Sequence, residues 1–309
     1  MNIKSPEFSL IDWIKARRRP PGGAVVGIGD DCAVLSTFLG EPLVTVDMLM
    51  DGVHFRLDEA GPAAVGRKAM GVNLSDIAAM AGVPTSAVVA VALPRRDADA
   101  IARGLVEGLD AMAGAFGVEV VGGDTNAWDG PLVIAITVLG HATARGPVLR
   151  SGARPGDAIL VTGPLGGSLA GRHLRPAPRI REALLIHERV PIHAMIDLSD
   201  GLSSDLGHIL DAGGGLGAIL DADAIPVHPD VTADGRSAID HALDDGEDFE
   251  LCLCIDPSDA TALLDSPPAG VWLHRVGTVD GGPGLRLRDG GGRVVPRAAG
   301  GFDHLAGAR

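Results

Sequence analysis

The chain has 309 residues, 46% hydrophobic and 21% charged, a size and composition that fit a soluble protein of two ordinary domains rather than one small core. Its net charge of −14 argues against nucleic-acid and anionic-membrane partners, which need a basic face, and makes any anionic substrate depend on locally placed positive charge. No apolar run approaches the ~20 residues that span a bilayer, and residues 1–15 lack the apolar stretch of a secretory leader, so a cytoplasmic protein with reduced thiols is expected.

In chain order, Val25-Val26 reads as a buried strand running into the turn Gly27-Ile-Gly-Asp30-Asp31, and residues 43–46 as a second strand running into Asp47. Residues 62–81 have helical spacing, with Val65, Ala69, Val72 and Asp76 on one largely apolar face. A strand over 87–93 ends at Pro94. Asp97 then caps a helix whose stripe is Ile101, Leu105, Leu109, Met112 and Phe116. Residues 118–121 lead into Gly122-Gly123-Asp124, and 132–139 form another strand. Strands alternating with helices imply an α/β or α+β layered domain.

Periodicity breaks at 143–156, which sets the expected division into domains 1–146 and 147–309. Beyond it, residues 158–162 enter the glycine-rich turn Gly163-Pro-Leu-Gly-Gly-Ser168, and Ser199-Asp200-Gly201 precedes a helix with Leu202, Leu206, Ile209 and Leu210 as its core face. Two more strands are expected at 249–255 and 271–279, and little structure from Gly281 onward. Cys252 and Cys254 share one face of their strand and read as packing residues, since no further Cys or His stands at zinc-ligand spacing.

Acidic residues recur at the ends of these apolar runs: the Asp30-Asp31 pair, Asp47, Asp76, Asp124, Asp197 and Asp200, in a chain with three lysines. Two carboxylates ~5 Å apart repel by roughly 3 kcal/mol at an effective dielectric of about 20. If the fold gathers them, cations must join them. Oxygen-only ligands suit Mg²⁺, which usually shares its shell with water and substrate phosphates. Each residue also has a plainer role open to it. Asp30, Asp31 and Asp124 suit turns, Asp76 a buried salt bridge to Arg67 or Lys68, and Ser199 with Asp200 a helix cap. The turn from Gly163 to Ser168 suits an ordinary loop, His54 surface packing and Arg150 a solvated charge. A lysine-bearing phosphate loop is absent, and Gly27-Ile-Gly29 places two acids where a dinucleotide's pyrophosphate would approach.

In order and combination the motifs are specific. Gly27-Ile-Gly-Asp-Asp-Cys-Ala33, Thr45-Val-Asp47, Asp51-Gly-Val-His-Phe55 and the stretch from Lys68 to Met80 resemble the opening of the thiamine-monophosphate kinase family. The resemblance continues through Gly122-Gly-Asp-Thr125, Arg150-Ser-Gly-Ala-Arg-Pro-Gly-Asp157, His173-Leu-Arg-Pro-Ala-Pro-Arg-Ile180, Ile196-Asp-Leu-Ser-Asp-Gly-Leu202, Gly246-Glu-Asp-Phe-Glu-Leu251 and Gly301-Phe-Asp-His304. It implies ATP-dependent phosphorylation of thiamine monophosphate to thiamine diphosphate. It also implies the two-domain fold of aminoimidazole ribonucleotide synthetase: an N-terminal α/β domain that forms a homodimer through its sheet, and a C-terminal α+β domain.

Carried over position by position, Asp31, Asp47, Asp76, Asp124, Asp197 and Asp200 match the family's Mg²⁺ ligands, with Thr45 and Val46 contributing nearby oxygens. Gly123, Asp124, Arg150 and Ser199 match its ATP contacts, and His54, Glu247 and Phe302 its thiamine phosphate contacts. Asp47, Asp124 and Arg150 are the expected catalytic set, and the resemblance places the metals between the two halves of the chain. Two departures stand out. The connection between Gly171 and His173 lacks the helix and loop of familiar members, which alters the rim of the site, and Phe302 replaces a tyrosine, keeping a ring but losing a hydroxyl. The alternatives are a sibling ATP-using enzyme of the aminoimidazole ribonucleotide or selenophosphate synthetase type, and a non-catalytic nucleotide- or metal-binding protein; a dinucleotide dehydrogenase is more remote.

Overall fold

Apolar residues spaced by two make the sheets, and apolar residues spaced by three and four make the helices laid on them. The computed structural model describes residues 10, 13, 14, 16, 17, 24–26, 34, 35, 37–298 and 300, so Asp30, Asp31, Cys32 and Phe302 lie outside the described residues. The chain forms two units: residues 1–77, 83–142 and 174–176, and residues 78–82, 143–173 and 177–309.

The first unit holds the short pair β1 (Ala24–Val26) and β2 (Val34–Leu35), and a four-stranded sheet of order β3-β6-β4-β5. In that sheet β3 (Pro42–Met50) pairs antiparallel with β6 (Val133–Ala142), and β4 (Gly82–Pro94) parallel with β5 (Glu119–Trp128). Strict alternation along β6 buries Ile134, Ile136 and Val138. After the short helix α1 (Leu57–Ala60) come α2 (Pro62–Ala79) and, beyond β4, α3 (Ala98–Ala115).

Helix α2 is buried on nearly every side, including Lys68, Asn73 and Ser75, so its sequence shows weak amphipathicity although it lies at the centre of its unit. Its contact with α3 is backbone to backbone. A Cβ on Gly66 would stand 2.2 Å from the Leu105 carbonyl oxygen, and one on Gly108 1.9 Å from that of Ala63. The stripe Leu105, Leu109 and Met112 is buried as expected. Asp97 directly precedes α3 but takes a left-handed conformation at φ 59° and makes no side-chain cap.

The second unit is built on a seven-stranded sheet of order β13-β12-β9-β11-β7-β10-β8. Its strands are β7 (Ala158–Val161), β8 (Ala194–Asp197), β9 (Gly217–Asp221), β10 (Leu251–Ile255), β11 (His274–Asp280), β12 (Gly284–Arg288) and β13 (Val294–Pro296). All the pairings are antiparallel except β12 with β9. Its helices are α4 (Ile180–Arg189), α5 (Leu202–Ala212), α6 (Ala238–Asp244) and α7 (Pro257–Asp265).

One face of this sheet supplies Ile159, Val161, Ile196, Cys252 and Cys254 to a core completed by Leu202, Leu206 and Ile209 of α5. The cysteines therefore pack as expected, and burial pushes both thiols well up. The expectation of little structure after Gly281 is overturned. Leu285 and Leu287 pack on the core as part of an edge hairpin, β12 with β13, that pairs alongside β9. Glycines and arginines there hide the alternation of a strand only five residues long. Strand β11 likewise begins at His274, three residues later than expected.

Candidate active site

In the first unit the inner face of β3 presents Thr45 and Asp47, two residues apart, to α2. There Asn73 and Asp76 lie one helical turn from each other. The Thr45 hydroxyl donates to Asp76 Oδ2 at 2.5 Å, and the Asp47 amide donates to Asn73 Oδ1 at 3.0 Å. Asn73 is itself oriented by donating Nδ2–H to the Ala69 carbonyl at 2.9 Å. Burial and the adjacent Asp76 carboxylate raise the Asp47 pKa from 3.8 to about 7. Thr45 is thus one partner of Asp76, and buried Lys68 sends Nζ to the His54 carbonyl at 2.6 Å.

The turn after β3 fixes His54. Its Nδ1 accepts the Met50 amide at 3.1 Å, so in the neutral ring Nε2 carries the hydrogen and is the donor. Asp51 accepts the Leu57 amide at 2.9 Å, holding the turn to the start of α1.

Asp124 is exposed on β5 and accepts from Asn126 Nδ2 at 2.9 Å. Gly123 is required by the fold itself, since a Cβ there would stand 2.0 Å from the Val89 carbonyl oxygen of β4. Beside these two residues an apolar pocket of about 110 Å³ is walled by Leu10, Ile14, Val89, Val91 and Leu105.

In the second unit β8 ends on Asp197, and the turn Leu198-Ser199-Asp200-Gly201 enters α5. Gly201, not Ser199, is the cap residue, with no side-chain cap bond. The capping runs in reverse: buried Asp205, inside the first turn, accepts the Asp200 amide at 3.0 Å and the Gly201 amide at 3.1 Å through Oδ2. Burial and the nearby charges of Asp197 and Asp200 push its carboxyl up to about 8. Asp200, Asp205 and His208 can bring ligand atoms within 4.8 Å of one another. The turn that carries Arg150 packs against β8 and α5, and exposed Arg150 makes no hydrogen bond or ion pair among the described residues.

Glu247 joins the same turn, its amide donating to the Ser199 carbonyl at 2.7 Å, while the Phe249 amide donates to Leu198 at 2.9 Å. Glu247 and Phe249 have φ of 53° and 52°, left-handed conformations that cost about 1–3 kcal/mol each in non-glycine residues and gather at functional sites. Their neighbours are tied down. Glu250 accepts from Thr162 Oγ1 at 2.6 Å and from Arg179 Nε at 2.8 Å, and Asp248 pairs with Arg172 at 2.8 Å. Burial still raises the Asp248 carboxyl to about 6.

The expected residues thus fall into two sets. Thr45, Asp47 and Asp76 meet in the first unit, with His54 on the turn that ends β3 and Asp124 on β5. Asp197, Ser199, Asp200 and Glu247 share adjoining turns in the second unit, with Arg150 on a turn packed against β8 and α5. The residues missed are Asn73 and Asp205. Asp205 carries a readable signal, because its spacing from Leu202 and Ile209 puts an acid on the core face of α5.

Residues 29–142 match the model of AIR synthase related protein, N-terminal domain, and residues 154–290 that of the C-terminal domain. A thiamine-monophosphate kinase of Rhodopirellula baltica is 44% identical over 91% of this chain and 92% of its own length. Among solved structures, the thiamine-monophosphate kinase of Stenotrophomonas maltophilia aligns at TM-score 0.78 with 30% identity, covering 92% of this chain and 96% of that one. A structure described as AaThiL complexed with AMPPCP and TMP aligns at 0.76 with 28% identity, covering 99% and 100%. With both domain models matched in order and close relatives spanning nearly its whole length, the chain belongs to the thiamine-monophosphate kinase family, on the two-domain fold of the AIR synthase related proteins.

Proposed function

We propose that the protein transfers the γ-phosphoryl group of ATP to the phosphate of thiamine monophosphate, giving thiamine diphosphate. The observation that carries this reading is the oxygen-only cluster of Thr45, Asp47 and Asp76. A largely buried carboxyl held near pH 7 beside a second acid has little structural use, but it suits a divalent cation that shares its shell with phosphates. Relatives along the whole chain, one of them holding AMPPCP, an ATP analogue, and TMP, support the same substrates.

The donor set fits Mg²⁺. Asp47, Asp76 and Asp124, with the Thr45 hydroxyl and the Val46 main-chain oxygen, would hold it in the first domain (1–146), and Asp197 and Asp200 in the second (147–309); Asp31 completes the assignment. When bound, Mg²⁺ neutralises charge on the transferring group and aligns two anionic substrates. Arg150, which is exposed and makes no hydrogen bond or ion pair among the described residues, would take a triphosphate oxygen. The apolar pocket beside Gly123 and Asp124 suits the nucleotide's flat base, and Ser199 serves the same nucleotide. His54 offers Nε2–H to the acceptor, Glu247 a carboxylate and Phe302 a ring. Transfer is direct and in line, with the acceptor phosphate oxygen attacking the γ-phosphorus, so no side chain becomes phosphorylated.

The functional partner is a second copy of the chain. Val44, Val46, Met48 and Met50 line the outer face of β3 at 71, 62, 57 and 36% exposure, an apolar strip that sheet-to-sheet pairing would cover. No helix of the described residues is long and apolar enough to cross a membrane, and the acidic chain suits a cytoplasmic enzyme without nucleic-acid partners.

Incubation with ATP, Mg²⁺ and thiamine monophosphate should yield thiamine diphosphate and ADP. No product from this acceptor, with turnover on an aminoimidazole ribonucleotide precursor or selenide instead, would move the chain to a sibling activity. ATP binding without any turnover would make it a binding protein. A phosphorylated protein trapped without acceptor would overturn direct transfer.

A further inference from the structure

Arg172 lies between Gly171, at φ 125°, and His173, close to the glycine-rich turn 163–168. Its Nη2 donates to the Gly166 carbonyl at 2.9 Å and to Asp248 Oδ1 at 2.8 Å. Asp248, whose side chain is 1% exposed, accepts the Gly166 amide on both oxygens, at 3.1 and 3.0 Å. One ion pair therefore grips Gly166 by its N–H and its C=O. Close by, the Gly167 amide donates to Asp245 at 2.8 Å and the Ser168 hydroxyl to the Gly246 carbonyl at 2.6 Å.

These bonds bind the glycine-rich turn to residues 245–248 and leave Glu247 at their centre in its left-handed conformation. Such a conformation persists only where surrounding contacts over-determine it. Arg172 Nε, buried and without a hydrogen-bond partner among the described residues, lies 3.8 Å from Asp230, so the guanidinium sits between two acids.

We propose that Arg172 is a positioning residue for the phosphate acceptor: by clasping Asp248 and Gly166 it holds the Glu247 segment in the conformation that presents its carboxylate to the substrate. The inference rests on the assignment of Glu247 to the acceptor.

The test is steady-state kinetics in both substrates, with melting curves, for Arg172→Ala, Arg172→Lys, Asp248→Asn and Glu247→Gln. Loss of a buried charge-assisted pair should raise the KM for thiamine monophosphate about tenfold in Arg172→Ala and leave the KM for ATP within about twofold and kcat within about threefold. Arg172→Lys should recover part of the loss, and Asp248→Asn should reproduce it. If Arg172→Ala does not fold, Asp248→Asn and Arg172→Lys decide by the same split. An unchanged acceptor KM in the folded variants, or both KM values and kcat moving together, overturns the clasp. Glu247→Gln separates the two claims: an unchanged acceptor KM there removes the Glu247 assignment, whereas a raised one with normal Arg172 variants removes the clasp alone.

Discussion

Replacing Asp47 with Asn should make the metal-free protein more stable above neutral pH while abolishing turnover. Asp47 binds its proton more tightly in the folded protein, at about 7, than at its ordinary value of 3.8, because it is largely buried and faces Asp76. Folding therefore takes up protons between those values. The stability this group contributes is fully present below about pH 4 and is lost as pH rises through about 7. At 1.36 kcal/mol for each tenfold change in proton affinity, the full cost of ionising Asp47 in place is about 4 kcal/mol; residual solvent contact lowers this to about 2–4 kcal/mol.

Asparagine keeps the size and a hydrogen bond toward Asp76 without the charge, and the Asn73 contact uses only the Asp47 main chain. In EDTA at pH 8 the variant should melt about 5–10 °C above the wild type. Below about pH 4, where Asp47 is protonated in the folded and the unfolded protein alike, the two should melt within about 2 °C. Adding Mg²⁺ should stabilise the wild type and reverse the order. A variant that melts at or below the wild type at pH 8 without metal refutes the repulsion argument. One that retains Mg²⁺-dependent turnover refutes the ligand assignment.

Three further outcomes follow from the geometry. Asp205→Ala should cost about 1–3 kcal/mol by leaving the Asp200 and Gly201 amides unpaired, and Asp205→Asn, which keeps an acceptor, should cost less in chemical denaturation. Gly246→Ala forces a Cβ to 2.6 Å from the Ser199 carbonyl oxygen at φ 72°, so melting should show a loss of more than about 1 kcal/mol and the acceptor KM should rise. Met48→Lys puts a charge on the exposed strip of β3 and should turn a dimer into monomers in sedimentation, with the melting temperature of the monomer little changed.

Much of the fold was legible because its pattern is local. The alternation from β3 to β6, the stripe of α3 and the apolar face of α5 each follow from residues close in sequence. The short elements were not. Helices α4, α6 and α7 have 10, 7 and 9 residues, too few for a stripe to stand out, and the edge hairpin of β12 and β13 mixes its apolar residues with glycine and arginine. Helix α2 was found by its apolar spacing, yet that spacing does not reveal that Lys68 and Asn73 are buried too; only packing against both the sheet and α3 does.

Sequence alone determined the family, through motifs that keep their order from Gly27 to His304, and carboxylates repeated at strand ends in a lysine-poor chain made metal-held phosphate the expectation for the site. Which groups answer them was decided by tertiary structure. Asn73 supports Asp47, Thr45 meets Asp76, Asp205 holds the Asp200 turn, and Arg172 closes on Asp248 from 76 residues away. These partners are dictated by where sheets and helices place distant residues side by side. A hydrogen bond across 76 residues of chain leaves no periodic trace in the sequence.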